Sequence, residues 1–378
     1  MPFELTERHR LHIQKKHYRG IQLLGVGEYA GVVAATRSRS HSAPRVALKV
    51  SEHFDSFCAE LMSLNVLGAH PNIVSHKGSF SDRFIHVIEL EYLSGLTLLD
   101  VLMQSGRMPE EAALHWFVHL LAGMAHAHHE ARVAHRDVKA ENLLICDGKL
   151  VIIDWGMAVP FQPNQYRQEC CSSPDYAAPE LYLGLPHQGP EIDVWSMGVV
   201  LYAMVTATFP FPGTTPSHLA ELITRSGYRN PPDVSPQLLD LISHMLDKDR
   251  RTRITVAQIA EHPWVREAYG QYVSQIPATL PSKAGLLAER PSAAPPPLLR
   301  SSSMSFSSKF SPFSSKSPLR HPAAPSSSST SSRALGVTSG SLLAISEPEE
   351  PKHRPSRFSI SISQILRGKK AKSLKRSP

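Results

Sequence analysis

The 378-residue sequence predicts an α+β fold: a strand-rich lobe, then a helix-rich lobe, then a disordered C-terminal tail. Three observations carry that reading. Residues 18–100 hold short apolar, β-branched runs, residues 100–264 hold apolar positions at helical spacing, and residues 291–332 are mostly Ser, Pro and Ala. A strand-rich lobe followed by a helical one leaves a natural cleft at the join.

Residues 1–17 form an N-terminal extension in which Glu4, Glu7, Arg8 and Arg10 leave no apolar stretch for a secretory signal. Strands are expected at 21–24, 32–33, 46–50 and 86–92, where β-branched and aliphatic residues cluster between turn signals. The spacing predicts a helix over 54–67, with Phe57, Leu61, Leu64 and Leu67 on one face. Further helices are expected at 114–129, 194–206, 238–246 and 256–260. The folded unit is thus expected over 18–264, its first lobe about 18–92 and its second about 93–264. Residues 265–378 form the tail, a Ser/Pro-rich and basic segment. Its serine runs, Ser301 to Ser303 and Ser326 to Ser329, and its scarce aromatics cannot bury enough apolar surface to offset the entropy of ordering.

Charge is divided unevenly. The formal net charge is +7, which invites a nucleic-acid or membrane reading. The first 264 residues, however, carry 23 Lys and Arg against 28 Asp and Glu, a net −5, and the remainder carries 17 against 5, a net +12. A uniformly basic domain is excluded, and with no DNA-reading motif no specific nucleic-acid binding is expected. Four cysteines, two of them adjacent and none in C-x-x-C spacing, argue against a disulfide framework or a zinc site. No apolar run approaches the roughly 20 residues of a membrane span. An intracellular, cytoplasmic protein is expected, with the nucleus open through an import signal in the tail.

The chemistry lies in short motifs. Gly25-Val26-Gly27-Glu28-Tyr29-Ala30-Gly31-Val32 falls between two expected strands, where glycines let backbone N–H groups approach phosphate oxygens. A plain hairpin turn would read the same way. Lys49 ends the apolar run Val46-Ala47-Leu48 and needs an anionic partner, for which Glu60 on the next helix is the obvious carboxylate. Then come His135-Arg136-Asp137-Val138-Lys139-Ala140-Glu141-Asn142, Asp154-Trp155-Gly156 after an apolar run, Ala178-Pro179-Glu180, and Asp193-Val194-Trp195. Their joint order and spacing is what chance does not supply.

Together these residues resemble a eukaryotic protein kinase over about residues 18–264. The resemblance implies the two-lobed protein kinase fold, with ATP and Mg²⁺ in the cleft. It implies an ATP lining of Leu24, Gly25, Val26, Gly27, Glu28, Val32, Ala47, Lys49, Glu91, Leu93 and Leu144. It further implies that Lys49, paired to Glu60, holds phosphates, that Asp137 accepts the substrate hydroxyl proton, and that Lys139 steadies the transferred group. Asn142 and Asp154 would hold Mg²⁺. Residue types fit, since phosphoryl charge needs fixed cations and the metal needs hard oxygen ligands. Lys139 points to serine/threonine specificity. The segment 171–180 resembles the calmodulin-dependent kinase group, most of all its AMP-activated/sucrose-non-fermenting branch. Arg253 is expected to pair with Glu180, and Asp193 to brace the catalytic loop. The expected activity is γ-phosphoryl transfer to Ser/Thr hydroxyls of protein substrates. The alternatives are a kinase-fold scaffold without catalysis and a small-molecule phosphotransferase.

Departures from that pattern are informative. Ala30 stands at the third glycine position of the loop, and Trp155 replaces the usual Phe, bringing an N–H donor. Glu169 falls where related kinases carry a phosphorylated threonine, so a carboxylate would supply part of that charge permanently, with Arg136 as its expected partner. An exposed, unpartnered loop acid is the plainer alternative. Glu141 resembles the acid that reads upstream arginines in substrates, while Thr97 replaces a second such acid. Cys170 and Cys171 are candidate redox sites, with inert thiols the commoner case. His76, His126, His128 and His129 lack ligand spacing backed by cysteines or carboxylates and are expected to be solvated.

In the tail, Phe358, Ile362, Ile365 and Leu366 suit one face of a short helix beside Arg367, Lys369, Lys370, Lys372, Lys375 and Arg376. Its own net-acidic kinase domain, anionic lipid or an import receptor are the candidate partners, against a simply solvated end. Ser311, Ser317 and Ser377 each precede proline and would lower the tail's charge if phosphorylated. Oligomeric state is not legible.

Overall fold

A computed structural model describes residues 3–27, 29–37, 44–169 and 171–276. Glu28, Cys170 and the tail motifs beyond residue 276 lie outside the described residues. Among the described residues, ten α-helices, ten strands, a π-helical turn and two 3-10 turns follow one another.

The first lobe opens with α1 (Glu7–Lys15), which Thr6 starts through a reciprocal cap with His9. Strands β1 (Arg19–Val26), β2 (Ala30–Thr36) and β3 (Arg45–Ser51) follow, then α2 (Phe54–Leu67), then β4 (His76–Ser81) and β5 (His86–Glu91). The five strands form one antiparallel sheet in the order β1-β2-β3-β5-β4. Period-2 alternation assigns the faces. Val46, Leu48 and Val50 of β3 join Val33, Ala35, Val87 and Ile13 in a small core on the outer face. Ala47 and Lys49, between them, face the cleft. On the helix, Phe57, Leu64 and Leu67 are buried as expected, with Glu60 and Ser63 buried beside them.

The second lobe begins with β6 (Leu96–Thr97), α3 (Leu98–Ser105) and α4 (Glu110–Ala125), the last continuing into a π-helical turn at His126–Glu130. Strands β7 (Val133–Ala134), β8 (Leu143–Cys146), β9 (Lys149–Ile152) and β10 (Val159–Pro160) are short and carry the loops of the site. Helices α5 (Pro179–Tyr182), α6 (Pro190–Thr206), α7 (Pro216–Arg225), α8 (Pro236–Met245) and α9 (Val256–Ala260) complete the lobe. All but α9 of these five have proline in the first turn, where a missing N–H costs no hydrogen bond. Nearly every residue of α6 is buried, which explains its continuous apolar run.

One expectation is corrected. Residues just past 264 do not begin the tail, because α10 (Arg266–Ser274) packs on α4. The Tyr272 hydroxyl donates to Asn72 Oδ1 at 2.9 Å, and its ring lies 4.1 Å from that of His119. The helix is short and only Ala268, Tyr269 and Tyr272 pack on the core, too few apolar positions for period alone to mark it. Among the described residues, no helix is long and apolar enough to cross a membrane.

Candidate active site

A cleft of about 580 Å³ opens between the lobes. Leu24, Gly25, Gly27 and Val32 line its roof, Ala47 and Lys49 its wall, Glu91 and Leu93 its back edge, and Leu144 its floor. The expected Val26 is not among the lining residues. The register of β1 on β2 slips between Leu23 and Gly25, and Val26 pairs with Gly31 outside the lining. Glu28 lies outside the described residues. At the loop tip, the Gly27 N–H donates to the Ala30 carbonyl at 2.7 Å, so the turn closes with alanine in the third glycine position.

Lys49 Nζ stands 2.6 Å from Glu60 Oε2 and 2.6 Å from Asp154 Oδ1. Burial opposes the lysine's charge, but the two carboxylates, Asp154 foremost, overcome it and hold its pKa above the ordinary value. The ammonium in turn holds Asp154 well below the usual carboxylate range. Burial pushes Glu60 upward against the pull of Lys49. Asp154 has φ +61°, a left-handed conformation that aims its carboxylate into the cleft at an energetic cost. Two residues on, a Cβ on Gly156 would come 3.1 Å from Lys49 Nζ and 3.2 Å from Asp154 Oδ1, so glycine leaves room for the ion pair.

The second cluster surrounds Asp137. Its Oδ2 receives Lys139 Nζ at 2.6 Å and Asn142 Nδ2 at 3.2 Å, and its Oδ1 receives the Ser173 hydroxyl at 2.9 Å. Lys139 also donates to Ser173 Oγ at 2.9 Å. Asn142 lines the cleft as well, and so joins the two clusters. The loop carrying them is held from below. Asp193, fully buried, accepts from the His135 N–H at 2.8 Å, the Arg136 N–H at 2.6 Å and His128 Nε2 at 2.8 Å. Three donors on one carboxylate let Arg136 keep φ +64°.

The segment after Asp154 is ordered by two arginine pairs. Arg253 grips Glu180 with both Nη atoms, at 2.7 and 2.9 Å, with neither side chain exposed. Arg136 Nη1 lies 2.7 Å from Glu169 Oε2, and Arg167 Nη1 lies 3.4 Å from Oε1. The hydrogen bond from Arg136 is the chief cause that lowers the Glu169 pKa. Trp155 is fully buried against His135, and its indole N–H donates to the Ile152 carbonyl at 3.4 Å.

Other groups fall elsewhere. Glu141 is pushed up by burial and accepts from the Tyr176 hydroxyl at 3.2 Å. The Thr97 hydroxyl donates to Asp100 Oδ2 in the cap of α3, at the cleft's edge. Cys171 is buried and in no disulfide. The histidines are not simply solvated: His126 Nε2 donates to the Leu67 carbonyl and His128 is buried on Asp193. His244 and His262 do gather with Asp240, their ligand atoms within 4.8 Å. There, His262 Nδ1 accepts from the Trp264 N–H, which leaves its proton on Nε2 facing Asp240 and makes the group a hydrogen-bond cluster. Sequence reasoning missed Ser173 and His128 as contributors. Ser173 was legible only through the segment it shares with Pro174, and His128 stood among three histidines with no signal to separate them.

The residues present suit a nucleotide and its metal. An apolar slot ends in Lys49, and beside it Asn142 and Asp154 offer hard oxygens, a donor set for a small divalent cation. Comparison with known proteins agrees. The family model for the protein kinase domain matches residues 18–265. Sperm motility kinase 2B of Mus musculus is 32% identical over 267 residues, covering 70% of this chain and 54% of that protein. NUAK family SNF1-like kinase 1 of Homo sapiens is 33% identical over 294 residues, covering 76% of this chain and 44% of that protein. The chain spans about half the length of the curated relatives it matches.

Proposed function

This chain belongs to the protein kinase domain family, and we propose that it transfers the γ-phosphoryl group of ATP to serine or threonine hydroxyls of protein substrates. One observation carries the reading: Asp137, Lys139, Asn142 and Ser173 form one hydrogen-bonded cluster that Asn142 joins to the Lys49–Glu60–Asp154 cleft.

ATP is the phosphoryl donor, and Asn142 and Asp154 would hold Mg²⁺, which would supply positive charge beside the phosphate oxygens. Lys49, kept protonated and aimed by Glu60, gives a fixed positive charge where phosphate oxygens lie. Asp137 accepts the proton of the acceptor hydroxyl as that oxygen bonds to phosphorus and the bridging P–O bond to ADP breaks. Lys139, shared between Asp137 and Ser173, steadies the charge on the transferred group. Asn142 and Ser173 fix the orientation of the base, so its reorganisation during transfer is small.

In the same reading Glu169 takes the place of an activating phosphate, and its pairing with Arg136 and Arg167 is the supporting observation. Glu141, already engaged by Tyr176, contributes a partial preference for basic residues near the acceptor. The relatives whose names include SNF1-like kinases support the serine/threonine class. An intracellular, cytoplasmic location fits the three cysteines outside any disulfide among the described residues.

The test is radiolabel transfer from ATP to a peptide array by the full chain in the presence of Mg²⁺. Phosphorylated Ser/Thr peptides are expected, with a loss of about 10³-fold in the Asp137→Asn variant. Undiminished transfer in that variant sinks the mechanism, and transfer only to small molecules sinks the substrate class.

A further inference from the structure

The N-terminal extension has no counterpart in the catalytic motifs, yet it is tied to the nucleotide loop and to α2 at once. The outer face of the sheet is apolar, and α1 covers it: Ile13 is fully buried in the core that Val33, Val46, Leu48 and Val87 supply. Ahead of α1, Phe3 and Leu5 pack on the same core. The Phe3 ring sits where a side chain on Gly31 would be, since a Cβ there would come within 2.6 Å of Phe3 Cε1 and 2.7 Å of Cδ1. Gly31 follows the loop residue Ala30 directly and pairs with Val26 on the other arm of the loop and Val50 on β3. Its neighbour Val32 lines the cleft from the opposite face of the strand. The strand that carries the loop back is therefore held between the cleft on one side and the Phe3 ring on the other.

A second tie reaches α2. The Phe3 ring stacks on His9 at 5.2 Å between centroids. Thr6 N–H donates to His9 Nδ1 at 3.1 Å, which places the His9 proton on Nε2, 2.8 Å from Glu52 Oε1. Glu52 lies in the short connection from β3 to α2, the helix that carries Glu60. At the end of β3, just before that connection, the Ser51 hydroxyl also donates to the Tyr29 carbonyl at the loop tip, at 3.0 Å. Arg10 Nη1 donates to the Ile21 carbonyl on β1, at 3.3 Å.

We propose that residues 3–13 are a built-in clamp that positions the nucleotide loop from the outer face of the sheet, with Phe3 as the positioning residue above Gly31. This rests on the kinase reading. A glycine at 31 and an aromatic ring at 3 then form one matched unit. The clamp acts on nucleotide affinity rather than on the phosphoryl-transfer step, because it touches neither Asp137 nor Asp154.

The experiment uses the full chain, with mant-ATP binding measured by fluorescence beside steady-state kinetics and thermal unfolding. Phe3→Ala is expected to raise both the mant-ATP Kd and the KM for ATP about five-fold, with kcat changed less than about two-fold. Phe3→Leu, which refills most of the space, is expected to restore the wild-type values. Gly31→Ala should weaken binding like Phe3→Ala, and the double variant should be no worse than either single, because the added methyl then meets no ring. A Phe3→Ala protein that melts earlier but keeps its Kd and KM overturns the clamp, as does full additivity of the two substitutions. Wild-type protein that binds no mant-ATP overturns the kinase reading as well, whereas wild-type binding with an unaffected Phe3→Ala variant overturns the clamp alone.

Discussion

Replacing Glu169 by alanine removes the only acidic partner of Arg136 recorded among the described residues, and the cost can be worked from the pair. A hydrogen bond between charged groups is worth about 1.5–3 kcal/mol when shielded. Arg136 is shielded, its side chain 8% exposed, but Glu169 is 57% exposed. Solvent screening therefore reduces the pair to about 1 kcal/mol, and that corresponds to about a five-fold change in an equilibrium. If the ordered segment is the active one, Glu169→Ala lowers the rate by at most about five-fold, the full factor applying where the ordered arrangement is the minor population, and Glu169→Gln, which keeps a neutral acceptor, lowers it less. The assay is the initial rate of peptide phosphorylation by bacterially expressed protein shown by mass spectrometry to carry no phosphate. The lowered pKa of Glu169 gives the sign of the pH dependence. Ordering by the pair is complete above the usual carboxylate range and is lost as pH falls through the lowered value. Equal rates for wild type and Glu169→Ala refute the argument, since they would leave the loop ordered without the pair.

Two further outcomes follow from strain and burial. Ser172 holds φ +97°, and its hydroxyl is buried without a hydrogen-bond partner, so Ser172→Gly is expected to stabilise the fold by about 1 kcal/mol and raise Tm by about 2–4 °C; an unchanged or lower Tm counts against this. Burial pulls the pKa of His119 from 6.5 down to about 4, so the unfolded chain takes up a proton below pH 6.5 while the folded one does not until about pH 4. Stability should fall over that window by on the order of 3 kcal/mol, seen as a denaturant midpoint that drops between pH 7 and pH 4 and drops less in His119→Gln.

The residues of the Asp137 cluster were legible as a group because each stands beside its motif neighbours in the chain. Asp137, Lys139 and Asn142 lie within six residues, and local geometry alone brings them to one point. Lys49 and Glu60 were legible for a related reason: a lysine ending an apolar strand demands an anion, and the next helix offers one. Glu169 was suggested by alignment of its segment, yet only folding brought it to Arg136, 33 residues away. The boundary errors have physical causes too. The four extra residues at the start of α4 begin with Glu110 and Glu111, polar groups that favour a helix N-terminus without adding to its apolar stripe. Val26 was misplaced because a register slip is invisible to alternation counting.

From sequence alone came the lobes, the cleft and the residues of the proposed chemistry, because period, turn residues and motif spacing are local quantities that neighbours in the chain determine. Only the tertiary structure showed that the N-terminal segment covers the sheet and touches the nucleotide loop, that Ser173 and His128 support the catalytic loop, and that α10 belongs to the helical lobe. Those contacts join residues far apart in the chain. Their energy comes from closing faces that no local pattern marks as open: an outer sheet face, a buried carboxylate and the back of α4.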